Sequence, residues 1–122
     1  MKMAAVKKIM ERGANFDWMP LPSLPYDKGV ISTSEWTKEW GGIYFLLSRD
    51  KSILYIGKAK KFKTRLMAHL NRSGWSRYMY DRGDEIQFCY LMAVDKNRVG
   101  EIEQLLIQLI QPPCNKHWCR KL

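Results

Sequence analysis

Apolar and polar positions fall into blocks whose periods assign most of the chain. Gly42-Ile-Tyr-Phe-Leu-Leu-Ser48 is a nearly continuous apolar and aromatic run. The polar cluster Arg49-Asp-Lys-Ser52 follows, then a second run, Ile53-Leu-Tyr-Ile56, that stops at Gly57. Two such runs around a turn cluster predict an antiparallel hairpin. Strand side chains alternate with a period of two, so loop length decides whether Tyr44 and Tyr55 share a face. A four-residue loop, Arg49–Ser52, puts both phenols on one side. Downstream, 60–71 reads as a helix with Phe62, Leu66 and Leu70 as its buried stripe. Residues 76–81 read as a further helical turn and Ile86–Val94 as a third strand. A final helix over 97–111 is ended by Pro112-Pro113.

Upstream, Met1–Arg12 has helical character and stops before Gly13. Prolines at 20, 22 and 25 predict an extended loop over 15–29 that wraps the domain. Trp36 and Trp40 lie four apart after Ser34, a candidate cap for a short helix that buries both rings. No internal repeat or low-complexity tract interrupts the chain. The order hairpin, helix, strand, helix behind a proline-rich arm predicts one α+β domain, with the arm over 1–40 and the folded unit over 41–122.

Composition is that of an ordinary globular domain: 122 residues, 46% hydrophobic and 27% charged. Charge changes the picture, because 21 Lys and Arg face 12 Asp and Glu for a net +9. Residues 1–40 hold six basic and five acidic groups, whereas 41–122 hold fifteen and seven and carry +8. A compact basic unit attracts polyanions, chiefly nucleic acid or an anionic membrane. A membrane role is the weaker reading, since the basic residues do not line an amphipathic helix. Three cysteines (Cys89, Cys114, Cys119) are too few and odd in number for a disulfide framework, which points to a reducing, cytoplasmic setting. Lys7 and Lys8 interrupt the only early apolar stretch, so no secretory signal is expected, and no run approaches the ~20 residues that span a bilayer.

Three features carry chemistry. The first is the pair of strand tyrosines. The second is Gly57-Lys-Ala-Lys-Lys-Phe-Lys-Thr-Arg65 with His69, in which five basic residues (Lys58, Lys60, Lys61, Lys63 and Arg65) fall within eight positions at a strand-to-helix junction. A glycine there lets backbone amides approach a phosphate, and a helix N-terminus favours an anion. The lysines also read as a plain solvated surface. Arg65 and His69, four apart, share a helical face. The third is Glu103, which falls inside the apolar arc of Val99, Ile102, Leu105, Leu106, Ile107, Leu109 and Ile110, while Glu101 lies among Gln104, Gln108 and Gln111 on the wet face. A carboxylate on an apolar face needs a cation, either a buried arginine or a metal ion.

Together these residues resemble the GIY-YIG nuclease family, the module of excision-repair incision subunits and of some homing and restriction endonucleases. The likeness starts at Gly42-Ile43-Tyr44 and, ten residues on, Tyr55-Ile56-Gly57. It runs through Lys58, Arg65, His69 and Glu103 to Asn115. The resemblance implies a small three-stranded antiparallel sheet flanked by helices, with the site on one sheet face. It implies a DNA endonuclease with one divalent ion per site, Mg²⁺ or Mn²⁺, held by Glu103 as sole protein ligand. Arg65 would bind the scissile phosphate, Tyr44 would act as general base with His69 assisting or replacing it, and Tyr55 and Asn115 would orient water and phosphate. Gly57, Lys58, Lys60, Lys61, Lys63 and Arg65 would contact DNA.

The competing readings are a DNA- or RNA-binding module that keeps the fold without the chemistry, and a ribosome-associated basic protein. Cys114, His117 and Cys119 fit no common zinc spacing. Trp75, Arg77, Tyr78, Tyr80 and Arg82 mix aromatic and basic groups in the manner of nucleic-acid surfaces or of packing. Substrate preference is not legible, and a homodimer or a recruiting protein partner stays open.

Overall fold

The elements run α1 (Met3–Arg12), β1 (Trp18–Pro20), β2 (Leu24–Pro25), β3 (Gly42–Leu47), β4 (Ile53–Ala59), α2 (Phe62–Leu70), α3 (Arg77–Arg82), β5 (Phe88–Val94) and α4 (Val99–Ile110). Single 3₁₀ turns occupy Gly83–Glu85 and Pro113–Asn115. This is a computed structural model, and it describes residues 1–12, 18–20, 24–26, 40–72, 75 and 77–115. The central sheet is antiparallel and three-stranded, with β3 between β5 and β4 and helices on both faces. β3 is buried along its whole length, as its uninterrupted apolar run requires of a central strand.

Alternation along the strands separates two cores. Ile43, Phe45 and Leu47 join Tyr90 and Met92 under α1 and α4, where Met3, Val6, Ile102, Leu106 and Ile107 complete the cluster. Tyr44 and Leu46 join Cys89 and Leu91 on the other face, against Phe62, Leu66 and Met79 from α2 and α3. Each large aliphatic or aromatic side chain buried in this way contributes roughly 1.5–3 kcal/mol.

The arm extends the sheet. β1 and β2 both pair with β5, through Trp18↔Val94 to Pro20↔Met92 and through Leu24↔Cys89 and Pro25↔Phe88. The wrapping loop expected around the prolines is therefore partly strand. Short strands at the margin of a sheet are where proline is tolerated. The N-terminus is tied to the hairpin tip, since Met3 N–H donates to Lys51 O at 3.0 Å and Ile53 N–H to Met1 O at 2.9 Å. Ser34 and Trp36 lie outside the described residues. Trp40 is 36% exposed and so is not the core anchor expected; its carbonyl accepts the Phe62 N–H at 2.8 Å at the start of α2.

The hairpin loop is odd in length, not four residues. Leu47 pairs with Ile53, leaving Ser48–Ser52 between them, whereas Leu46 pairs with Tyr55. Leu54 is the extra residue of a β-bulge. Without it Tyr55 would face away from Tyr44; with it both phenols stand on one side, as expected but by a different route.

The apolar arc of α4 is narrower than its sequence suggests. Ile102, Leu106 and Ile107 point inward, but Leu105 and Leu109 are 40% and 58% exposed. The helix ends at Gln111, left-handed at φ 48°, whose N–H donates to Ile107 O at 2.8 Å before Pro112. Trp75 packs edge-on to Tyr80 and under the Arg72 guanidinium, and Arg82 pairs with Glu85 on the surface, while Tyr80 is 55% exposed. Cys89 and Cys114 are both buried; His117 and Cys119 lie outside the described residues.

Candidate active site at the edge of the sheet

Among the described residues no other strand covers the outer edge of β4, and a cleft of about 690 Å³ opens over it. Tyr55, Ile56, Lys58 and Ala59 of β4 form its floor. One wall is α2 with the residues before it, through Lys60, Lys61, Thr64, Arg65 and Ala68; the other is α4, through Glu103 and Gln104. The two helices cover opposite faces of the sheet, so the cleft straddles the sheet edge. This corrects the expectation of a site on one face. An edge strand between two helices is what allows Glu103, from the far face, to meet Arg65 and Tyr55.

Behind the cleft the two phenols, Arg65 and His69 converge. The Tyr44 hydroxyl lies 2.6 Å from His69 Nε2 and accepts a hydrogen bond from Arg65 Nε at 3.3 Å. The rings of Tyr44 and Tyr55 are 6.0 Å apart, and the His69 ring lies 5.4 and 5.1 Å from them. Tyr44 is fully buried and His69 nearly so, at 0% and 6% exposure, and neither lines the cleft. The base role expected of Tyr44 has no access to water, and Tyr55 is the phenol that faces the opening. Among the described residues His69 Nδ1 is buried with no partner.

Electrostatics separate these groups further. Burial, reinforced by the neighbouring Tyr55, pushes Tyr44 well above an ordinary phenol, against the opposing pull of Arg65. Burial also raises Tyr55, but the Arg65 charge and the Tyr44 hydroxyl draw it back down while Glu103 opposes them. His69 is pushed down to about 4 by burial and then by the Arg65 charge, so it is neutral at physiological pH. Glu103 is raised by burial, with Lys58 and Arg65 acting the other way. Glu103 is half-buried and takes part in neither described ion pair, Arg72–Asp84 or Arg82–Glu85. Among the described residues no group of three or more His, Cys, Asp or Glu is placed to share a metal ion, so Glu103 is a lone carboxylate in a basic cleft. Such a site suits a hard divalent cation that keeps most of its waters.

Three sequence expectations change. Asn115 does not face the cleft: it is buried, its Oδ1 accepts the Ile56 N–H at 2.8 Å and its Nδ2 donates to Ile56 O at 3.0 Å. The amide stands in for a missing neighbouring strand on the exposed edge of β4. Gly57 is buried and pairs with Tyr44, and a Cβ there would lie 2.2 Å from the Tyr44 ring, so the glycine makes room for the phenol and not for a phosphate. Gly42, at φ +148°, similarly admits Met92 O, 2.0 Å from where a Cβ would be. Lys63 does not line the cleft. Thr64, Ala68 and Gln104 do line it and were missed. Thr64 and Ala68, four apart on α2, carried the signal as small residues on the face that also bears Arg65.

Solved structures with a similar fold include the GIY-YIG N-terminal endonuclease domain of UvrC from Thermotoga maritima. A point mutant of that domain bound to its catalytic divalent cation is 23% identical and matches with a TM-score of 0.55, over 71% of this chain and 91% of that one. The magnesium-bound domain is 24% identical, with a TM-score of 0.52 over 64% and 85% of the two chains. A comparison with curated proteins found no match. A family model described as the GIY-YIG catalytic domain matches residues 40–117, which include both tripeptides and every site residue above. The chain belongs to the GIY-YIG family.

Proposed function

We propose that this protein is a DNA endonuclease that hydrolyses phosphodiester bonds with one divalent cation, Mg²⁺ or Mn²⁺, held by Glu103. The observation that carries this reading is the lone carboxylate of Glu103, half-buried and outside any described ion pair, sharing a basic cleft with Tyr55, Lys58 and Arg65. Water and phosphate oxygens would complete the shell of the ion. When bound, the cation supplies positive charge that offsets Glu103 and stabilises charge growing on the phosphate and leaving oxygens.

The remaining work belongs to the chain. Arg65 Nε is fixed by Tyr44, which leaves the outer guanidinium nitrogens to bind the scissile phosphate in a set orientation. Tyr55, having first lost its own proton to solvent against the upward push of burial, accepts a proton from water as phenolate at the floor of the cleft. The water oxygen bonds to phosphorus as the bond to the leaving oxygen breaks, and that oxygen takes a proton from solvent. Tyr55 needs help to reach its phenolate, and it comes from the Arg65 charge and from Tyr44. His69, neutral, carries its proton on Nε2 and donates to the Tyr44 oxygen; the Tyr44 O–H then turns to the Tyr55 oxygen and favours the phenolate. Tyr44 and His69 are positioning residues in this scheme, and Asn115 holds the strand that presents Tyr55.

Nicking of supercoiled plasmid in Mg²⁺, set against EDTA and against Glu103→Gln, tests the reading. Metal-dependent nicks are expected from the natural chain, with a loss of at least about a hundredfold in the variant at unchanged DNA affinity. Binding with no metal-dependent breaks would instead assign a binding module.

A further inference from the structure

The cleft has a continuation that the proposed chemistry does not use. Past Lys58, Ala59 and Lys60, which line both, lies a second cavity of about 690 Å³. It is built where three strand ends meet, at Gly41 and Gly42 before and within β3, at Lys58–Lys60 at the close of β4, and at Val94 and Lys96 around the end of β5, with Val99 opening α4. Among the described residues its charged side chains are Lys58, Lys60 and Lys96, all exposed, with no acidic one in the lining. Neither described ion pair involves these lysines. Lys58 stands between the two cavities, with its ammonium 3.6 Å from where a Cβ on Gly100 would be, at the first turn of α4.

We propose that the two cavities form one trough for a single DNA strand, and that the second holds a phosphate flanking the scissile one, with Lys96 and Lys60 as its ligands. This rests on the nuclease reading for the placement of the scissile phosphate. The argument is one of continuity and sign. A strand whose phosphate sits at Arg65 and Glu103 must leave the cleft in two directions, and one is over the Lys58–Lys60 ridge. Beyond that ridge lies an open space whose charged lining, among the described residues, is positive, which attracts the next phosphates. Lys96 is distant in sequence from the 58–65 basic run and joins it only because β5 ends beside β4's partner strand.

Fluorescence anisotropy with a labelled twelve-nucleotide single strand in EDTA, at several salt concentrations, tests this apart from cleavage. Lys96→Ala is expected to weaken binding roughly three- to tenfold and to reduce the slope of log affinity against log salt by about one. Arg49→Ala, which removes an exposed charge at the opposite end of the hairpin, is the control and should stay within about 1.5-fold. Equal losses in the two variants, or none in Lys96→Ala, would overturn the trough. A thermal melt of Lys96→Ala matching the natural chain excludes unfolding as the cause. Should plasmid nicking fail while Lys96→Ala still binds more weakly, the nuclease reading fails and the strand-binding trough stands.

Discussion

His69 Nε2 lies 2.6 Å from the Tyr44 hydroxyl, inside the protein and out of reach of bulk water. A histidine in that place is a fixed neutral hydrogen-bonding group and not a proton acceptor for solvent. Its consequences are thermodynamic as well as chemical.

Stability should fall as pH drops through the histidine range. The unfolded side chain titrates near 6.5 and the folded one near 4, so between these values the unfolded chain binds more protons and stability rises with pH. The contribution of His69 is complete above about 6.5, and about 3 kcal/mol of it is lost by pH 4. Denaturant melts from pH 8 to pH 4 would show this slope, and His69→Gln should flatten it. Nitrogen-15 chemical shifts of the imidazole would report the tautomer; a proton on Nδ1 would contradict the proposed relay.

Tyr55→Phe and Tyr44→Phe should separate chemistry from support. Losing the Tyr55 hydroxyl is expected to slow cleavage by about a hundred- to ten-thousandfold with little change in the melting midpoint. Losing the Tyr44 hydroxyl leaves Arg65 Nε and His69 Nε2 without their common partner, at a cost of about 1–3 kcal/mol as well as activity. Calorimetry beside a nicking assay distinguishes the two. If Tyr55→Phe cut normally, the base assignment would be wrong.

Divalent-ion affinity should begin to fall at a higher pH than an ordinary carboxylate allows. Burial raises Glu103 above 4.5, so protons compete with the cation at higher pH than they would at an exposed glutamate. Titration calorimetry with Mn²⁺ between pH 8 and pH 5 should show binding weaken towards the acid end. Glu103→Gln should abolish the binding at every pH.

Asn115→Ala should act on the strand and not on the reaction. It orphans the outward N–H and C=O of Ile56, costing about 1–3 kcal/mol for each group that stays dry. Hydrogen exchange at Ile56 is expected to speed up, and activity should fall with the fraction of correctly held β4. Gly57→Ala, which drives a methyl into the Tyr44 ring, should cost about 1–3 kcal/mol through overpacking.

Much of this was legible in the chain because local patterns and tertiary demands agree. The strand runs, the α2 stripe at Phe62 and Leu66, and the stop at Pro112 all follow from side-chain period and backbone chemistry. That Tyr44, Tyr55, Arg65 and His69 would lie near one another was also legible, but their depth was not. Whether Tyr44 or Tyr55 meets water depends on how α2 and its Arg65 and His69 lie across the sheet, which no spacing records. Asn115 was misread because an amide that orients a phosphate and one that satisfies a strand edge have the same chemistry. The exposure of Leu105 and Leu109 depends on where α4 meets its neighbours, and periodicity gives only the direction of a face, not its width.

The bulge at Leu54 reconciles the length of the hairpin tip with the alignment of the two phenols. One surplus residue on β4 turns an odd connection into the phase an even one would have given, so the two phenols meet across a turn whose parity alone would part them. A tip longer or shorter by two residues would leave the phenols aligned with the bulge in place, whereas a change of one residue would require the strand to shed that extra step.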